Sequence, residues 1–458
     1  MLVTKTITAD TTLQNKINWI KNNPNICMLP FGVHSVETSA DNKIQSKCCC
    51  SLDSGLFSVI PQDPFAEIKH SVKNNTPHPA CHACYNSEKQ NGSSERFLSL
   101  MNTSNIVINN FLKEQQTNHI DYRIKFSNLC NLACRSCSPA SSSKYTQVFN
   151  FPIQSFLGAD ASENADNWST IISNIENYLS KFPILTLSLL GGETLIQPGV
   201  FKLLQWIDRR NLHSRLNLHI TSNFTKVDNS WLEIFEKFNR IHISASIDST
   251  NANFNYVRWP ANFNKVEQNL FKILHKVKPG QFSLNIQPLW NLNNIFYIND
   301  LLDWSHKLIQ TAEQDWTSQQ KKFGIKLSNV NMTTPLWMTT QNLPVVYRND
   351  LKILLEQALI HPIFDTDQHR GVIQWITGII DFCNSTQTLN KPLSDRRLVT
   401  ETCDKNIVKL TDFDFYLKET ASYDVTTKNS MPTGNAKLFN ILTNKHKQLY
   451  LNYVQSKI

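Results

Sequence analysis

The sequence predicts an α/β protein in which parallel strands are covered by helices, with a Cys-rich segment before them and a helical tail after them. Three observations carry this. Strand-like and helix-like segments alternate between residues 120 and 330, as they do when parallel strands are joined by covering helices. Nine of the eleven cysteines lie between positions 27 and 137. Beyond about residue 335 only helical patterns joined by polar loops remain. The natural divisions are residues 1–110, 111–335 and 336–458.

The alternation runs in order. "IDYRIKFS" (120–127) is a strand, "ADNWSTIISNIENYLSKF" (165–182) has apolar residues at helical spacing, and "ILTLSLL" (184–190) is a buried strand. "GVFKLLQWIDRR", "SWLEIFEKF", "NKVEQNLFKILHKVK" and "FYINDLLDWSHKLIQ" are helical. They separate strands at 215–222, 240–248, 282–289 and 323–330. Six such units form either an open sheet or a barrel, and in both the ligands gather at the carboxyl ends of the strands. In the tail, "YRNDLKILLEQAL", "GVIQWITGIIDFC" and "AKLFNILTNKHKQLYLNYV" read as helices.

Composition narrows the class. A chain of 458 residues exceeds one ordinary domain, and 41% apolar with 10% aromatic residues supplies packed cores rather than disorder. The formal charge of +8 is modest and dispersed, with no run of like charges, and only weakly favours a polyanionic partner. No compact patch of basic residues interleaved with aromatics stands out, which disfavours nucleic acid. The N-terminus lacks the apolar stretch of a signal peptide, and the most apolar run, residues 182–190, is too short for a bilayer. The expectation is a cytoplasmic protein with no membrane partner. Thiols there stay reduced, so clustered cysteines point to metal rather than disulfides.

Directly after the first strand comes "SNLCNLACRSCSP", with Cys130, Cys134 and Cys137 spaced C-x3-C-x2-C. Three thiolates from one loop suit an iron–sulfur cluster, in which each binds a separate iron, whereas a closed zinc site wants a fourth ligand. A cubane held by three protein ligands leaves one iron open for chemistry.

"CNLACRSC", followed by "LGGE" after the next strand, resembles the radical S-adenosylmethionine (SAM) enzymes. The resemblance implies a partial (β/α)6 TIM-like barrel. It also implies a catalytic [4Fe-4S] cluster on Cys130, Cys134 and Cys137, whose open iron binds the amino and carboxylate groups of SAM. Reduction by a partner such as flavodoxin or ferredoxin would cleave SAM to a 5′-deoxyadenosyl radical that abstracts hydrogen from the substrate. Ser136 departs from the family, which often carries an aromatic residue there, beside the adenine.

Strand-end residues extend the resemblance. Gly191 and Gly192 are expected to turn the backbone with positive φ, and Glu193 to meet the SAM amino group. Ser222 and Asn223, then Ser244, Ser246 and Asp248, lie at the next two strand ends, where relatives bind the SAM ribose or carboxylate. Helix capping or turn duty is the ordinary alternative for each. Arg258 is either a carboxylate partner or half of a surface salt bridge, and Asn285 and Gln287 sit at the fifth strand end.

The N-terminal cysteines form a second set. Cys27 comes first, then the triple Cys48-Cys49-Cys50, then Cys81 and Cys84 as a C-x2-C pair. "VHSVET" and "KIQSK" flank the turn formers Asp41 and Asn42, as in a β-hairpin. Four ligands, Cys27, Cys48, Cys81 and Cys84, suit a [4Fe-4S] cluster or structural zinc. Strand alternation puts Cys48 and Cys50 on one face and Cys49 on the other, so one of the triple is expected to be recruited. Cys48 is the first choice and Cys49 the alternate.

The opening "CMLPF" and this Cys-rich hairpin resemble the auxiliary-cluster modules of twitch and SPASM domains, here placed before the barrel instead of after it. His78 and His82 are read as solvated loop residues, and Cys383 and Cys403 as buried thiols. The expectation is a radical SAM enzyme acting on a peptide or protein side chain. A small-molecule or carbohydrate substrate, or a non-enzymatic zinc- or cluster-bearing nucleic-acid-binding protein, are the rivals.

Overall fold

The computed structural model describes residues 7, 12–38, 44–49, 65–91, 94–114, 120–151, 160, 162–276, 278–321, 324–328, 330–332, 336–365, 369–385 and 412–457. The chain divides into two compact units, residues 1–128 with 154–219, and residues 129–153 with 220–458. Both are mixed α/β structures built on parallel strands.

In the first unit, β1 (Val33–Thr38) and β2 (Ile44–Lys47) form the expected antiparallel hairpin, with Val36 opposite Ser46. Its turn, with Asp41 and Asn42, lies outside the described residues. β1 also pairs in parallel with β3 (Asp121–Lys125), which pairs in parallel with β4 (Leu185–Leu190). The hairpin therefore continues the sheet, running β2-β1-β3-β4. The register explains why: His34 stands opposite Tyr122 and Val36 opposite Ile124, and all four side chains are buried. His34 is satisfied there, with Tyr178 Oη at 2.5 Å and Ser46 Oγ at 3.0 Å.

The helix Ala165–Lys181 starts where Asn164 accepts from the N–H groups of Asp166 and Asn167, and it buries Ile171, Ile175 and Leu179 on one stripe. β5 (Leu216–Ser222) contains the division between the units.

In the second unit β6 (Arg240–Ala245), β7 (Phe282–Ile286) and, beyond the short β8 (Leu289–Trp290), β9 (Ile325–Leu327) pair in parallel. β8 pairs in parallel with β10 (Val330–Asn331). All six strands expected from the alternation are present.

The tail keeps the expected helices Val345–Leu359 and Arg370–Asn384. The expected helix over 436–454 is instead two, Ala436–Ile441 and Asn444–Gln455, because Thr443 leaves the helical path and caps the second by accepting from His446 N–H. The helix Asp412–Thr427 was not anticipated. Phe413, Phe415, Tyr416, Leu417, Thr420, Ala421, Tyr423 and Asp424 are all buried, and with Thr420 and Asp424 among them the buried face is not an apolar stripe that sequence shows. No helix among the described residues is long and apolar enough to cross a membrane.

Candidate metal and cofactor sites

The loop carrying Cys130, Cys134 and Cys137 lies in the second unit and is pinned along its backbone. Ala133 N–H donates to Trp259 O at 2.8 Å and Arg135 N–H to Val257 O at 2.9 Å. Cys130 N–H donates to Ser143 Oγ at 3.1 Å, and Cys137 N–H to Cys134 O at 3.0 Å. Asn131 bonds Thr225 Oγ1 at 2.7 Å and accepts from Asn223 Nδ2 at 3.1 Å. Asn223, expected to meet a ligand, thus holds the cysteine loop, and its Oδ1 also accepts from Thr225 N–H.

Cys134 is buried, and burial pushes its thiol well above the ordinary range while Arg258 opposes this. The Arg258 guanidinium stands 4.0 Å from Cys134 Sγ and forms an ion pair with Asp248, Nε to Oδ2 at 2.8 Å. Asp248 is buried and the Arg258 side chain is only 11% exposed, so this is not the surface bridge that sequence alone suggested. Desolvation would lower the Arg258 pKa, but Asp248 and Cys134 outweigh it and hold the cation charged. Asp248 Oδ1 also accepts from Leu289 N–H at 2.8 Å.

The remaining strand-end residues are placed as follows. Ser222 is buried and its Oγ accepts from Phe224 N–H at 2.9 Å; Ser246 is half-buried and its N–H donates to Ser222 O. In the first unit, Gly191 has φ +137°, and a Cβ there would stand 2.3 Å from Gln197 Nε2 and 2.6 Å from Ser127 O. Gly192 does not share the positive φ expected of it, and its N–H donates to Ser127 O at 3.2 Å. Glu193 is buried and accepts from Leu195 N–H at 3.1 Å, capping the turn that follows.

Also in the first unit, Cys27, Cys48, Cys49, Cys81 and Cys84 all line one pocket, together with Arg96, His78 and Tyr85. It encloses about 510 Å³ of space, part of it open to solvent. Cys48 and Cys49 share it because β2 ends at Lys47 and the chain bends, which abolishes the alternation expected to separate them. Cys50 lies outside the described residues. Burial raises the Cys27 thiol and pushes Cys81 to about 11, while the bond to Cys49, then burial, raises Cys48. His78 caps its own turn by accepting from Ala80 N–H, and His82 is exposed. Cys383 is half-buried, and Cys403 lies outside the described residues.

Sequence reasoning missed Arg96. It is 3% exposed and grips Glu88 with two nitrogens, Nε to Oε1 at 2.9 Å and Nη2 to Oε2. Its Nη1 donates to the carbonyls of Asn23 and Ile26, both at 3.1 Å. It therefore ties the turn preceding Cys27 to the helix His82–Asn91, which carries Cys84 and Glu88. Among the described residues no three His, Cys, Asp or Glu side chains stand close enough for a single metal ion. Ligands of a cubane stand further apart, each on its own iron.

No protein-family model matches the sequence, and no curated protein does. Among solved structures, the chain is similar to anSMEcpe with bound AdoMet and the Cp18Cys peptide, at 20% identity over 52% of this chain and 59% of that one, with a TM-score of 0.34. The chain thus spans less than two thirds of that protein. It is also similar to Streptococcus suis SuiB bound to S-adenosylmethionine, at 13% identity over 71% of this chain and 69% of that one, TM-score 0.34. With SuiB bound to precursor peptide SuiA the identity is 13%, over 74% and 73%, with a TM-score of 0.34.

Proposed function

We propose that the chain is a radical SAM enzyme acting on a peptide or protein side chain. Cys130, Cys134 and Cys137 hold the catalytic [4Fe-4S] cluster, and Cys27, Cys48, Cys81 and Cys84 hold an auxiliary one. The observation that supports this best is the pinned C-x3-C-x2-C loop with a half-buried cation beside its central thiol. A thiolate-ligated cluster is anionic, and Arg258 lies where it offsets that charge. Asp248 holds the guanidinium through Nε, which leaves Nη1 facing Cys134 Sγ.

When bound, the cluster and AdoMet supply one-electron cleavage and hydrogen abstraction. The residues of the chain hold and orient. Asn223 fixes Asn131 beside Cys130, and Ser222, Ser246 and Asp248 offer polar groups to AdoMet. The five-thiol pocket suits a metal group by its donor chemistry, and Arg96 supplies a buried cation at its wall. A flavodoxin- or ferredoxin-like protein is the expected electron donor.

Iron counting after anaerobic reconstitution tests the assignment. The parent should hold about eight irons and the Cys130→Ala/Cys134→Ala/Cys137→Ala variant about four. A variant that retains the parent's full iron content contradicts it.

A further inference from the structure

We propose that the helix Asp412–Thr427 clamps the three-cysteine loop, with Tyr423 and Asp424 as positioning residues for the metal group that the loop holds. The proposal rests on the functional reading above and gives the C-terminal tail a role in it. Arg135 lies between Cys134 and Cys137 and is buried with its guanidinium paired to Asp424, 289 residues away in sequence.

The cation is enclosed. Its guanidinium carbon lies 3.6 Å from the ring centroid of Tyr256 and 4.1 Å from that of Tyr423, and Nε donates to Tyr256 O at 3.1 Å. Asp424 is itself saturated. Its Oδ2 accepts from Tyr450 Oη at 2.6 Å, Met431 N–H at 2.9 Å and Tyr256 Oη at 3.4 Å. The carboxylate cannot turn away without breaking all of these.

Tyr423 adds a direct hold, its hydroxyl donating to Ala133 O. The N–H groups of Ala133 and Arg135 are already engaged by Trp259 O and Val257 O. The stretch Ala133–Arg135 is therefore fixed by both donors and acceptors, and Cys134 is its middle residue. Tyr423 also packs on Phe149, at 5.0 Å between centroids, just past the helix that follows the loop. Ligand thiols work only if their backbone is held to a fraction of an ångström, and here the tail does much of the holding.

The test uses the full-length, metal-free chain as parent, Tyr423→Phe, Asp424→Asn and Leu438→Ala. The last unpacks the tail in the neighbouring helix Ala436–Ile441. Iodoacetamide labelling of Cys134 is followed by peptide mass spectrometry. Tyr423→Phe and Asp424→Asn should speed labelling by about tenfold or more, and Leu438→Ala by no more than about twofold. In iron-loaded protein the first two should also shift the reduced-cluster electron paramagnetic resonance signal, with Leu438→Ala unchanged. Equal labelling in all four proteins, or equal acceleration by Leu438→Ala, overturns the clamp. Labelling needs no metal, so failure of the cluster assignment shows separately, in the iron counts.

Discussion

Replacing Arg96 with Met removes the cation that joins the Cys27 turn to the Cys81/Cys84 segment while keeping much of the buried stem. Four contacts go: two to Glu88 and two to the carbonyls of Asn23 and Ile26. Orphaning one member of a buried pair costs about 3–5 kcal/mol. Glu88 is 15% exposed, so water relieves part of that cost, which sets the expectation at about 3 kcal/mol. At about 1.4 kcal/mol per tenfold, local opening becomes about a hundredfold more frequent. Glu88→Gln keeps hydrogen-bonding capacity without charge and should cost about 1–2 kcal/mol. Hydrogen–deuterium exchange over residues 23–27 and 82–91 measures both, with N-terminal metal content as a second readout. A loss below about 1 kcal/mol for Arg96→Met, or an equal loss for Glu88→Gln, would refute the reasoning.

Three further outcomes are expected. Gly191→Ala forces a Cβ onto Ser127 O at 2.6 Å in a backbone region that suits glycine, and denaturant unfolding should show a loss of about 2–4 kcal/mol; a change under about 0.5 kcal/mol contradicts the geometry. Burial holds the His242 and His369 pKa values below the ordinary 6.5. The unfolded chain then binds more protons below that value, so this stability is present above about pH 6.5 and lost as pH falls toward the folded values. Denaturation between about pH 7.5 and 5.5 should show that decline, and His369→Gln should flatten it; an unchanged slope counts against a neutral buried ring. In the background lacking the three loop cysteines, Cys48→Ala should lose the remaining iron and Cys49→Ala should keep it, and the reverse result transfers the ligand to Cys49.

Strands were the most legible part of the chain. β3 and β5 alternate buried and half-buried side chains, and the helices Ala165–Lys181 and Pro198–Arg209 between them each bury an apolar stripe. The cysteine loop was equally plain, because its spacing is local. What escaped was long-range or lacked a stripe. The buried positions of the helix Asp412–Thr427 include Thr420, Asp424 and Thr427, so no apolar stripe stands out, and Asp424 could not be linked to an arginine near position 135. Arg96 carries no sequence motif, and its role shows only in the fold, where Ser94 and Arg96 both meet Glu88. The hairpin was legible, but not its place beside β3, which depends on which edge His34 and Val36 find. The two glycines before Glu193 looked equivalent; only Gly191 needs to be glycine for its φ.

The central claim is most directly tested by product analysis. Anaerobically reconstituted full-length protein, reduced in the presence of AdoMet, should release 5′-deoxyadenosine, and the Cys130→Ala/Cys134→Ala/Cys137→Ala variant should release none. A fully iron-loaded parent that forms no 5′-deoxyadenosine above the variant's background would contradict the account.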